Sequence, residues 1–294
     1  KLNDFEEGCW INMVEPSHEE IRYISDRFNI DIDSLNAAID EEERSRIDVE
    51  DNHTLILIDI PIDESDSDSA HYSTIPLGII LTEHSIITVC TAQSRILNDF
   101  IVGHIKEFYT FKKTRFILQI LYKNATYYLL YLRRINKMTI KIEREIHKSM
   151  KNKELVQLLE LEKSLVYFST SLKALELVLN KMLRTSAIKK YSEDEDLLED
   201  VIKNRQALEM ASIYGDILSR IMDAFSAIIN NNQNNVMQLL TVVTLILSIP
   251  TMISGYFGMN VDVPFANDPY GFWIILFISA VICVILSILL SKNK

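Results

Sequence analysis

The sequence predicts an α+β membrane protein. A cytosolic α/β domain leads into a long helical hairpin, and a long stalk helix then continues into the first of two transmembrane helices. Three observations predict this. Two apolar runs, 236–257 and 272–290, each approach the ~20 residues that cover ~30 Å of hydrocarbon at ~1.5 Å rise. Periodicity before about residue 91 mixes strands with helices, whereas from Ala92 onward it is helical. Between Asn231 and Ser291 the only charged residues are Asp262 and Asp268. These breaks give an α/β domain over 1–112, a helical hairpin over 113–190, the stalk and first span over 191–257, an external loop over 258–271, and the second span with its tail over 272–294.

Taken in order, 9–14 is a short apolar strand ended by Glu15-Pro16. Ser17 then caps a helix, with Glu20 completing a capping box and Ile21, Ile24 and Phe28 on the buried face. A second helix is expected over 33–39, with Asp31 or Asp33 at its start. Runs 54–60, 75–81 and 85–89 read as buried strands. The acidic run 63–69 reads as a solvated hairpin loop, because it lacks the central glycine and terminal glutamate of an EF-hand. Ile96, Phe100, Ile105 and Phe108 fit one amphipathic helix. A longer helix covers 115–150, Lys151-Asn152 marks a turn, and leucines from Leu155 to Leu183 continue on helical spacing, making an antiparallel hairpin.

The stalk carries two apolar faces. One holds Val201, Leu208, Ala211, Gly215, Leu218, Met222, Phe225 and Ile229; the other holds Leu198, Ile202, Ile213, Ile217, Ile221 and Ile228. A helix with two apolar faces must bury both, one on its own domain and one on neighbouring copies. Apart from Gly215, no glycine or proline interrupts it before Pro250, so a rod of about 60 residues and ~90 Å is expected. The Asn230–Asn235 run is poor helix-forming sequence, yet a helix through it is the favoured reading.

Composition narrows the functional classes. The net charge of −11 lies wholly before Asn231, since Lys292 and Lys294 cancel Asp262 and Asp268. That charge disfavours nucleic acid and anionic membrane faces as partners and can gather divalent cations. The three cysteines, Cys9, Cys90 and Cys283, are widely separated and in no metal-ligand spacing, and the six histidines are scattered. There is no phosphate loop or nucleophile elbow, so nothing argues for an enzyme. Lysines follow the second span and are absent from the 258–271 loop. The tail is therefore expected in the cytosol, the loop outside, and the amino-terminal domain on the tail's side.

Neither span contains an acid, lysine, arginine or histidine, which speaks against proton relays. The first span offers neutral polarity on one stripe instead: Asn234, Met237, Leu240, Thr244, Ser248, Thr251 and Gly255. Such a face can hydrogen-bond the water shell of a cation, or it can mediate helix packing. The stripe ends at Gly258-Met259-Asn260, followed by a short loop and the last span.

That arrangement resembles the CorA family of divalent-cation transporters. The likeness extends to the early Cys9-Trp10-Ile11-Asn12 run, Pro16-Ser17 and Glu19-Glu20. The resemblance implies a homopentamer in the plasma membrane with the stalk helices lining a shared pore. It implies Gly258, Met259 and Asn260 as the selectivity filter, with Met259 bracing the loop and Asn260 contacting the hydrated ion. It also implies a regulatory site for cytosolic Mg2+, to which Asp63 and Glu199 correspond. Retention of the middle methionine favours magnesium, with cobalt or nickel as substitutes; a zinc or other transition-metal transporter, or a non-conducting membrane sensor, are the alternatives. One departure is the Val261-Asp262-Val263-Pro264 continuation, which differs from the Met-Pro-Glu of well-known members.

Overall fold

The computed structural model describes residues 5–64, 71–148, 152–184, 202–259, 264 and 269–292. Two compact units divide the chain, 1–222 and 223–294.

The first unit is built on a five-stranded sheet. Its strands are β1 (Trp10–Val14), β2 (Arg46–Val49), β3 (His53–Asp63), β4 (Tyr72–Thr82) and β5 (Ile86–Cys90), in spatial order β1-β5-β4-β3-β2. β1 pairs with β5 in parallel and the other neighbours are antiparallel. Strand alternation sends Ile56, Ile58 and Ile60 to one face and Leu55 and Leu57 to the other, and both faces are covered.

Helix α1 (His18–Phe28) and helix α2 (Ile32–Ala37) cover the Leu55 face with Ile21, Ile24 and Leu35, joined by Ile30 of the connection between them. Both start as their sequences direct. Ser17 and Glu20 form the capping box, and Asp31 accepts from the Asp33 N–H. The Ser17 hydrogen bonds hold the Glu20 carboxyl below its ordinary value. The end of α2 comes so close to the sheet that a Cβ on Gly78 would lie 2.3 Å from the Ala38 Cβ, which explains the glycine in the middle of β4.

On the opposite face lie α3 (Arg95–Ile101), α4 (Lys113–Lys148) and α5 (Asn152–Arg184). Phe100, Phe116, Ile120 and Leu175 pack there against the isoleucines of β3 and β4. Trp10 joins this core edge-on to Phe100 and Phe116, and its indole N–H donates to Thr88, whose hydroxyl donates to Asn12. The Cys-Trp-Ile-Asn run therefore leads into and begins the edge strand β1 with its polar ties, a structural feature of the domain.

Four details differ from the sequence reading. β2 is a strand that Glu41–Arg44 concealed, its only buried side chain being Ile47. The strands β3 and β4 run several residues further than 54–60 and 75–81, since their outer halves pack on α4 and α5 rather than on the core pattern of a two-faced sheet. Tyr72, for example, stacks on Tyr131 and Phe168. The helix expected through Phe108 stops at Val102. Gly103 adopts φ +80°, and His104 N–H returns to Asp99 O at 2.9 Å, a left-handed helix stop. Ile105 and Phe108 still pack on the core from the irregular segment that follows, so their spacing reports burial and not helix. Finally, α2 begins and ends earlier than 33–39.

Helix α6 (Lys203–Phe257) begins in the first unit. Its first turn is fixed by Lys203 Nζ donating to the Tyr122 hydroxyl at 2.9 Å and by Asn204 Nδ2 donating to Leu172 O at 3.1 Å. Ala207, Ala211 and Leu218 are buried, whereas Ile202, Ile213 and Ile217 are 65%, 55% and 43% exposed. One apolar face is thus covered within the chain and the other is open. The helix passes through the asparagine run without a break.

The second unit contains the rest of α6 and α7 (Gly271–Lys292). Both helices are long and apolar enough to cross a membrane. Tyr256, Tyr270, Phe272 and Trp273 are exposed at adjoining helix ends, as an aromatic belt requires.

Candidate ion pathway and its filter motif

The membrane part of α6 has two unlike sides. Val242, Ile246, Ile249, Ile253 and Phe257 are partly covered, as are Ile275, Cys283 and Leu286 of α7, with Ser279 more buried at 9% exposed. A contact joins the sets directly: the Cys283 thiol donates to Ile246 O at 3.5 Å. At ~100° per residue, the polar stripe lies about 180° around α6 from these positions. Asn234, Met237, Leu240, Thr244, Ser248, Thr251 and Gly255 are all exposed in the single chain. The stripe is therefore not used to pack α6 on α7.

Its hydroxyls have a defined polarity. Thr244 donates to Leu240 O at 2.7 Å, Ser248 to Leu245 O at 2.9 Å and Thr251 to Leu247 O at 3.0 Å. Each O–H is spent on its own helix, leaving the oxygen lone pairs directed outward as acceptors. A cation's water shell presents hydrogens outward, so this surface matches the shell and does not compete for the metal itself.

At the end of the stripe, Gly258 N–H donates to Ser254 O at 2.9 Å and Met259 N–H to Tyr256 O at 3.4 Å. The first two residues of the Gly-Met-Asn motif thus wind off the last turn of α6. A side chain at Gly258 would press on Ser254 O at 3.3 Å. Asn260, the residue assigned the ion contact, lies outside the described residues, as does Glu199.

Asp63 is placed differently from its expected loop. It is the last residue of β3, only 13% exposed, with Oδ2 at 3.0 Å from Arg134 Nη1 and 3.8 Å from Arg95 Nη1. The Arg134 guanidinium also lies over the Tyr131 ring at 5.6 Å. Arginine already pairs with this carboxylate, so a divalent ion at Asp63 would compete with Arg134 and Arg95. No group of three His, Cys, Asp or Glu suited to a metal occurs among the described residues. Sequence reasoning missed both arginines, because their partnership depends on α3 and α4 meeting the end of β3.

An α/β domain, a long helix entering the membrane part and a second apolar helix define a membrane-transporter architecture. The chain belongs to the family described as CorA-like Mg2+ transporter protein, whose model matches residues 5–292. It is 28% identical over 292 residues to the cobalt/magnesium transport protein CorA of Methanocaldococcus jannaschii, covering 94% of this chain and 87% of that one. It is 25% identical to the magnesium transport protein CorA of Campylobacter jejuni, covering 97% and 90%. The complete structure of the CorA magnesium transporter from M. jannaschii superposes with a TM-score of 0.81 at 26% identity, over 97% of this chain and 90% of that one.

Proposed function

We propose that this chain is the subunit of a homopentameric magnesium channel of the plasma membrane, with both termini cytosolic, that passes hydrated Mg2+ down its electrochemical gradient. Co2+ and Ni2+ are its expected substitutes. The observation that carries this reading is the exposed, uncharged polar stripe of α6, which ends at Gly258-Met259 and is followed by Asn260.

Magnesium dehydrates reluctantly and keeps an octahedral water shell. A row of acceptor oxygens without fixed charge can hold that shell by hydrogen bonds and still release it. A ring of Asn260 carboxamides at the outer mouth would select the shell's size, and Asp262 and Asp268 would raise the local cation concentration. Two helices cannot enclose a pore, so several copies must surround the axis. The open Ile213 and Ile217 face of α6 supplies an apolar surface for that association.

Cytosolic magnesium is the proposed regulator, with Asp63 and Glu199 as the acids that correspond to the family's site. This part carries a requirement: an ion that binds Asp63 Oδ2 has to compete with Arg134. The transport reading does not depend on it.

The test is uptake into proteoliposomes with magnesium, cobalt, nickel and zinc in competition. Magnesium uptake that persists in the presence of zinc supports the proposal. Preferential zinc uptake would favour a transition-metal transporter, and no uptake of any ion a non-conducting sensor.

A further inference from the structure

Pro250 sits inside the membrane segment of α6. Proline has no N–H to give the carbonyl four residues earlier, and its ring crowds that same carbonyl, which belongs to Ile246. In hydrocarbon no water can take the place of the missing donor. Nearby hydroxyls of α6 do not serve: Ser248 donates to Leu245 O and Thr251 to Leu247 O. The Cys283 thiol of α7 does, 3.5 Å from Ile246 O. Cys283 follows Ser279 and Ile275 along the covered side of α7, where small side chains allow a close approach.

We propose that Cys283 is a positioning residue: its S–H replaces the N–H that Pro250 lacks and fixes the outer segment of α6, 251–259, against α7. That segment carries Thr251, Gly255 and the first two residues of the filter motif. A proline gap is the natural place for α6 to bend, and the thiol tie is on the side away from the polar stripe. The back of the helix is thereby held while the stripe stays clear.

The consequence for ion passage rests on the transport reading; the contact itself does not. The test uses the full-length protein as wild type, Cys283→Ala, Cys283→Ser, Pro250→Ala and the Pro250→Ala/Cys283→Ala double variant. Two readouts are taken, the unfolding equilibrium in mixed micelles and magnesium uptake in proteoliposomes. Cys283→Ala is expected to raise the unfolding constant about three-fold, the usual effect of an interhelical hydrogen bond in a membrane, and to lower uptake. Cys283→Ser, which keeps a donor, should remain near wild type on both. In the Pro250→Ala background the backbone N–H is restored, and Cys283→Ala should have no further effect. An equal fold-change from Cys283→Ala in both backgrounds would overturn the proposal, as would a Cys283→Ser variant indistinguishable from Cys283→Ala. Wild-type protein that takes up no magnesium counts against the transport reading instead, and the unfolding cycle then decides this one.

Discussion

Arg134 Nη1 stands 3.0 Å from Asp63 Oδ2, which joins the end of β3 to the middle of α4 by a charged hydrogen bond. Arg95 of α3 approaches the same oxygen at 3.8 Å. Any cation that uses Asp63 therefore competes with arginine of the same chain. If Asp63 belongs to a regulatory magnesium site, Arg134→Gln should lower the magnesium concentration that half-protects the protein from limited proteolysis. A pair worth ~1 kcal/mol corresponds to about five-fold. An unchanged midpoint in Arg134→Gln would remove Asp63 from the site.

The open face of α6 makes a prediction about assembly. Ile213 and Ile217 are exposed in the single chain. Ile213→Glu/Ile217→Glu should convert a detergent-solubilised oligomer to smaller species, measured by light scattering, while the helical circular dichroism is kept. A mass unchanged by two charges on that face would place the subunit contact elsewhere.

Asp59 gives the soluble unit a pH dependence of known sign. Burial pushes its carboxyl above the ordinary value, an effect only partly offset by the Ser171 hydroxyl. An acid whose folded-state pKa is raised binds its proton more tightly when folded. Its contribution is most favourable below the unfolded value of about 3.9, and is lost as pH rises through the folded value. Asp59→Asn should therefore match wild type in thermal unfolding near pH 3 and melt higher near neutrality. A variant that melts lower at neutral pH would show that the carboxylate is held by favourable partners.

Gly78 tests the packing of α2 on the sheet. With the Ala38 Cβ 2.3 Å from the place a Gly78 side chain would occupy, Gly78→Ala should cost about 1–3 kcal/mol through overpacking. Thermal unfolding of the full chain reads this out, and Ala38→Gly in the same chain should recover most of the loss.

Local signals explain which elements were legible in the sequence. Ser17 with Glu20, and Asp31, cap their helices by bonds within three residues, so α1 and the start of α2 could be read directly. The spans could be read because hydrocarbon thickness fixes their length. β2 could not, because Arg46 and Asp48 carry only local ion pairs and its strand character comes from pairing with β3. The end of α3 was hidden because Ile105 and Phe108 are buried at helical spacing without being helical. At the candidate site, the polar stripe was visible as a spacing of three and four. The partners of Asp63 and of the Ile246 carbonyl were not, since Arg134 and Cys283 lie 71 and 37 positions away in the chain.

The central claim is most directly tested by magnesium uptake in proteoliposomes holding wild type or Asn260→Ala at equal protein content, with oligomer mass checked in parallel. The account predicts robust uptake by wild type and loss of nearly all of it in an Asn260→Ala protein of unchanged mass. Wild-type uptake rates in Asn260→Ala would contradict it.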